Sequence, residues 1–210
     1  MAEMTKRRLL RTEERQAQIL RAASRAFMRG GFAAVSMDDV ASEAGITRLI
    51  VYRHFASKEA LYRAVLTAVA DRLRDEFLVG TSVASRHDPG WIHRMMLGVA
   101  RENPDGFRLL MVHASREPQF SVHHDDWEAK ARSVADTMIG DRIDDPTLKA
   151  WAVRTIVASL VESVLAWLDC GEVSRDEEFV ERASAALRAM YLAWSGTGLS
   201  AAGLPRRSLL

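Results

Sequence analysis

Ser36-Met37-Asp38-Asp39-Val40-Ala41-Ser42-Glu43-Ala44-Gly45 runs directly into Ile46-Thr47-Arg48-Leu49-Ile50-Val51-Tyr52-Arg53-His54-Phe55. Ser36, with Asp39 three residues later, has the form of a capped helix start. Val40 and Ala44 face inward, and Gly45 ends this helix early, since glycine takes the left-handed conformation that helix ends favour. Thr47 caps a second short helix over residues 48–55. Two such helices joined by Ala44-Gly45-Ile46-Thr47 form the core of a helix-turn-helix. The glycine permits the tight turn and Ile46 packs between the helices. The second helix can then enter a major groove while the first crosses the backbone.

On both sides of this pair the pattern stays helical. Residues 12–29 read as a helix, with Glu13 and Glu14 in its first turn, where the helix dipole favours acids. Ile19, Leu20, Ala23, Ala26 and Phe27 share one face, and Gly30-Gly31 stops it. Ser57 caps a helix over residues 58–79. Asp88-Pro89-Gly90 opens another over 91–102, and Asn103-Pro104-Asp105-Gly106 separates it from one over 107–115. Pro118 precedes a segment that reaches residue 140. Asp144-Asp145-Pro146 starts a long helix to residue 170, closed by Gly171, and Ser174 opens the last, to residue 194.

The 210 residues carry a net charge of +1, which hides an asymmetry. Residues 1–60 hold 11 Lys+Arg against 7 Asp+Glu, a balance of +4, and the remaining 150 hold 18 against 21, a balance of −3. A basic head on a mildly acidic body points to a polyanionic partner for the head alone. The lone cysteine, Cys170, excludes an internal disulfide framework and multi-cysteine metal sites, and fits a reducing cytoplasm. Lys6, Arg7 and Arg8 are followed by no apolar run, so no signal peptide is expected. Arg154 and Glu162 interrupt the most apolar segment, 151–168, which argues against a span of roughly 20 apolar residues through a membrane. No nucleophile–base signature or glycine-rich phosphate loop stands out, so no catalytic residues, cofactor or enzyme activity are expected. His123-His124-Asp125-Asp126 is read as a loop and helix start rather than a metal site, because four contiguous side chains cannot converge on one ion.

The stretch from Ile19 to Leu61 resembles the TetR family of bacterial transcriptional regulators. The matching residues are Ile19-Leu20, Ala22-Ala23, Phe27, Gly31-Phe32 and Ser36-Met37-Asp38-Asp39-Val40-Ala41. They continue through Ala44-Gly45-Ile46-Thr47, Val51-Tyr52-Arg53-His54-Phe55 and Ser57-Lys58-Glu59-Ala60-Leu61. The resemblance implies an all-α chain of about nine helices. Residues 1–60 would form a basic arm and a three-helix helix-turn-helix DNA-binding domain. Residues 61–196 would form a helical ligand-binding and dimerisation domain, and 197–210 a flexible tail. It also implies that residues 47–55 form the recognition helix. Expected DNA contacts are Ser36, Thr47, Arg48, Ile50, Tyr52, Arg53, His54 and Lys58, with Lys6, Arg7, Arg8 and Arg11 as a basic arm along the phosphates or in the minor groove. The family often places a small residue and then Thr or Ser where this chain has Leu49 and Ile50. An aliphatic side chain there either meets a thymine methyl or packs against its own domain.

The body carries two expectations. Trp91, Met95, Met96, Phe107, Met111, His113 and Trp127 on the middle helices would line a pocket for a small apolar or aromatic effector. Ile156, Leu160, Val164 and Leu168, with Phe179, Leu187, Met190, Tyr191 and Trp194, follow helical spacing on the last two helices. Stripes this wide exceed what one neighbour covers, and the resemblance implies a four-helix homodimer interface there. The expected function is a ligand-responsive homodimeric repressor on a palindromic double-stranded DNA operator. The alternative is a constitutive DNA-binding architectural or interaction protein without an effector.

Overall fold

A computed structural model describes residues 2–81 and 88–195, with side chains described from Thr12 onward except at position 141. The side chains of Lys6, Arg7, Arg8 and Arg11 and the tail 197–210 lie outside the described residues. Among the described residues there are nine α-helices and no strand. They are α1 (Ala2–Ala34), α2 (Met37–Ala44), α3 (Arg48–His54), α4 (Lys58–Gly80), α5 (Trp91–Glu102), α6 (Pro104–Arg108), α7 (Ser121–Ile139), α8 (Pro146–Cys170) and α9 (Asp176–Trp194).

The head is built as its caps dictate. Ser36 Oγ accepts from the Asp39 amide at 3.2 Å, while the Asp39 carboxylate accepts from the Ser36 amide at 2.8 Å, which completes the reciprocal box. Gly45 closes α2 at φ 65°, a left-handed conformation that costs a residue with a Cβ about 1–2 kcal/mol. α1 is longer than residues 12–29. It starts at Ala2, and its helical geometry breaks at Gly31 (φ 73°) before a last short turn. Ile19, Ala23, Phe27, Val40, Val51 and Phe55 bury the centre of the head. Glu43 on α2 ties down α1 by pairing with both Arg29 and Arg25, the latter at 2.6 Å. The hydrogen bonds from those two guanidiniums hold its carboxyl down at about 2.

The body stacks α4, α5, α7, α8 and α9. In place of one helix over 107–115 there is α6, a π-helical turn at Leu109–His113 and a single 3-10 turn to Arg116. Phe107 and Leu110 are fully buried, and this segment packs against α1 and α4. By length and composition α8 could cross a bilayer, with a mean hydropathy of 1.4 over its most apolar window. Here it packs on α5, α7 and α9, and Arg154 and Glu162 are exposed on its outer side.

Candidate DNA-binding surface and internal cavity

Helical periodicity divides α3 into two faces. Ile50, Val51, His54 and Phe55 form the inner one, and Val51 has no exposed surface. Ile50 packs against the head's core, so it is not a residue that α3 presents outward. Its neighbour Leu49 is 71% exposed and takes the outward aliphatic position instead. Thr47, Arg48, Tyr52 and Arg53 are exposed beside it. The Thr47 hydroxyl makes no cap bond, and Arg53 has no ion pair among the described residues. Arg48 donates to Asp38 at 2.8 Å and to the Tyr52 hydroxyl at 3.3 Å, with its guanidinium 5.1 Å from the Tyr52 ring centroid. This holds both side chains upright on the outer face. His54 is half-buried, next to Phe55. Ser36 is exposed, though its hydroxyl is committed to the cap.

Lys58 is engaged within the chain. Its ammonium donates to the Ala33 carbonyl at 3.1 Å and lies 4.6 Å from the Phe32 ring centroid. Its position at the first residue of α4 therefore serves the joint between head and body as well as any anion nearby. That joint is aromatic. Tyr62 on α4 lies 5.3 Å from Phe32 and 4.3 Å from Phe120, the residue that leads into α7. Burial pushes the Tyr62 phenol up to about 12, so it stays neutral. A polar tie adds to it, since Asn103 donates to the buried Ser24 hydroxyl of α1 at 3.0 Å.

Behind this joint, α4, α5, α7, α8 and α9 surround a cavity of about 950 Å³. That is the upper end of the range for small-molecule sites. Trp91, Met95, Met96 and Trp127 are among its lining residues. Phe107, Met111 and His113 are not: they sit on the segment that supports α1 and α4, away from the cavity lining. Their place is taken by α4, whose Thr67, Leu73 and Phe77 form one wall. Two polar side chains of the lining, both outside the sequence expectation, are buried. His93 on α5 is 2% exposed, and its Nδ1 lies 2.9 Å from the Ser184 hydroxyl on α9. Burial pushes the His93 ring down to about 4, so it is neutral at neutral pH.

The last two helices turn most of their large side chains inward. Val164 and Phe179 belong to the protomer's own core, and Leu168 packs against it, so Val164 in particular has no surface to offer a partner. Ile156, Leu160, Leu187 and Tyr191 line the cavity. Met190 and Trp194 are half-buried, and Trp194 lies 4.6 Å, centroid to centroid, from Trp151. The outward face is of a different kind. Its exposed residues include Trp151, Ala158 and Ala166 on α8, interleaved with Arg154 and Glu162, and Ala185, Ala186, Ala189 and Ala193 on α9, beside Arg182 and Arg188.

A helix-turn-helix whose second helix stands outward with arginine and tyrosine, carried on a separate helical body, defines a DNA-binding transcriptional regulator. Residues 19–65 match the family model described as bacterial regulatory proteins, tetR family. The "HTH-type transcriptional activator FasR" of Mycolicibacterium smegmatis is 30% identical over 197 residues, covering 88% of this chain and 83% of that protein. The "HTH-type transcriptional regulator TtgR" of Pseudomonas putida is 33% identical over 122 residues, 58% of this chain and 55% of that one. Among solved structures, a tetR-family regulator from Streptomyces coelicolor superposes with a TM-score of 0.60 at 26% identity, covering 87% of this chain and 83% of that chain. A TetR-like regulator from a Rhodococcus species shares the fold with a TM-score of 0.68 at 17% identity, covering 87% and 94%. The chain belongs to the TetR family of bacterial transcriptional regulators. As a member of that family it is a DNA-binding transcriptional regulator.

Proposed function

We propose that the chain acts as a homodimer whose two heads grip a near-palindromic operator, and that a small molecule entering the cavity releases it. One observation carries this reading: α4 begins in the head at Lys58 and forms a cavity wall at Thr67, Leu73 and Phe77. Lys58 to Phe77 is about 28 Å of continuous helix at 1.5 Å per residue. A shift that the ligand imposes on the wall is therefore delivered to the head through a rigid rod. The aromatic contact of Tyr62 with Phe32 passes it to α1, on which α2 and then α3 pack. For adjacent major grooves the recognition helices must stand about 34–36 Å apart, so a small tilt of α4 in each protomer suffices to spoil the fit. The ligand acts only by its differential affinity for the two head positions, and inverting a 99:1 population takes about 5.5 kcal/mol.

The exposed alanine face of α8 and α9 supports the dimer. Small side chains let helices approach closely, and two such pairs related by a two-fold axis form a self-complementary four-helix contact. Arg154 and Glu162 on the outer side of α8 favour a protein partner over lipid. The +4 head set against the −3 body supports docking by the head alone. A dimer bound across a promoter represses by occupancy, and repression is the proposed sign. The M. smegmatis relative is named as an activator, which the same binding produces from a site beside the promoter.

The cavity favours this ligand-responsive reading over a constitutive one, and Ala131→Trp tests it. Ala131 lines the cavity on α7, far from α3. Fluorescence anisotropy of a labelled operator should show that a small-molecule extract of the source cells releases the parent protein. The variant, its cavity narrowed by the indole, should bind the operator normally and respond less to the extract. Equal release of both proteins, or no release of either, would overturn the ligand-responsive reading.

A further inference from the structure

The charges around the cavity are unevenly paired. Arg74 is matched by Asp71 and Asp75, at 2.8 and 3.1 Å, and Asp88 by Arg94. Arg142, which follows α7, and Arg188 on α9 also line the cavity, and neither has a carboxylate partner among the described residues. Arg142 donates to the Tyr191 hydroxyl at 2.7 Å, with its guanidinium 5.9 Å from that ring's centroid. Arg188 sits one turn before Tyr191 on α9, on the same side of the helix, as three-residue spacing requires. Lys130 adds a third cation without an ion pair to the lining, and Asp126 is the one acid there not held in an ion pair, both among the described residues. Away from these groups the wall is apolar, with Phe77, Trp91, Met95, Met96 and Trp127.

From this we infer that the effector is an amphiphilic anion. Its apolar or aromatic body would lie among the tryptophans and methionines, with its acidic group at Arg142, Arg188 and Tyr191. Guanidiniums at the rim of a low-dielectric cavity keep their hydration when the site is empty. When it is filled they offer charge-assisted hydrogen bonds to a carboxylate, sulfonate or phosphate. The neutral His93–Ser184 pair lies deeper and presents no cation to the ligand's body. This inference rests on the cavity being the effector site, but it is tested by binding alone, without DNA.

The probes are 1-anilinonaphthalene-8-sulfonate and N-phenyl-1-naphthylamine, which differ by one sulfonate and both fluoresce in apolar surroundings. Titrated into the full chain, the sulfonate should bind at least as tightly as its neutral analogue, despite being more soluble in water. Arg142→Gln with Arg188→Gln should weaken the sulfonate at least fivefold and change the neutral probe by less than twofold. A general loss of folding would move both probes together, and circular dichroism of the variant checks it. An equal effect on both probes, no effect on the sulfonate, or no saturable binding of either would overturn the anionic class. Selective binding that leaves operator affinity unchanged would instead count against ligand release and leave the ligand class standing.

Discussion

Arg53→Ala is expected to weaken operator binding by about 2–6 kcal/mol per dimer, at about 1–3 kcal/mol for each of two heads. Arg53 is exposed on the outer face of α3 and has no ion pair among the described residues, which leaves its guanidinium available to a base edge or phosphate. Arg48 differs because it already spends donors on Asp38 and Tyr52. Losing Arg53 removes no ion pair among the described residues, and the unfolding free energy should change by less than about 0.5 kcal/mol. Two measurements separate its possible roles. If it meets phosphate, affinity drops for all sequences and the salt dependence flattens. If it meets guanine, the drop is confined to the operator and specificity relaxes at one position in each half-site. Parent-like affinity for the operator would move the DNA-reading face away from this side of α3.

Ala189→Glu is expected to turn the proposed dimer into a monomer at micromolar concentration. Ala189 is exposed at the middle of the alanine face of α9, with Ala185 and Ala193 one turn to either side. Glutamate is nearly as good a helix former as alanine, so the helix itself is little affected. Across a two-fold axis, however, each substitution occurs twice, and it would insert two large like charges into a close-packed contact. Each head would then hold its half-site alone. Losing the linkage between the two binding events should lower operator affinity by about 10²–10⁴-fold. Sedimentation velocity reads the first effect and anisotropy the second. A variant that remains a dimer with full affinity would place the interface elsewhere.

The head was more legible in the sequence than the body, for a physical reason. Caps and turns are local: Ser36 with Asp39, Gly45, Thr47 and Ser57 specify where helices start and stop within a few residues, and the structure puts them there. The period of α3 was also present in the sequence. Val51 and Phe55 mark the buried face, and Ile50 and His54 follow from them, which leaves Leu49 outside. Family position points Ile50 towards DNA, whereas the helical period puts it on the inner face, where it is partly buried against the head's core. In the body, by contrast, an apolar stripe looks the same whether it faces core, cavity or partner. Val164 went to core, Leu160 to the cavity, and the outward face fell to alanines with no strong hydrophobic signal. Phe107, Met111 and His113 looked like pocket residues because they are apolar and central in the chain. Their segment instead folds under α1 and α4 through a π-helical turn that residue spacing does not announce. His93 carries a faint signal, since helical spacing puts its imidazole on the face shared by Met96, Leu97 and Ala100.

Footprinting on an operator selected from genomic fragments, with the number of bound protomers counted on the same DNA, tests the paired-head arrangement most directly. The expected result is protection of an inverted repeat whose half-site centres lie about 10 base pairs apart, two protomers per site, and affinity that falls steeply with salt. A single unpaired half-site, or binding without sequence preference, would contradict it.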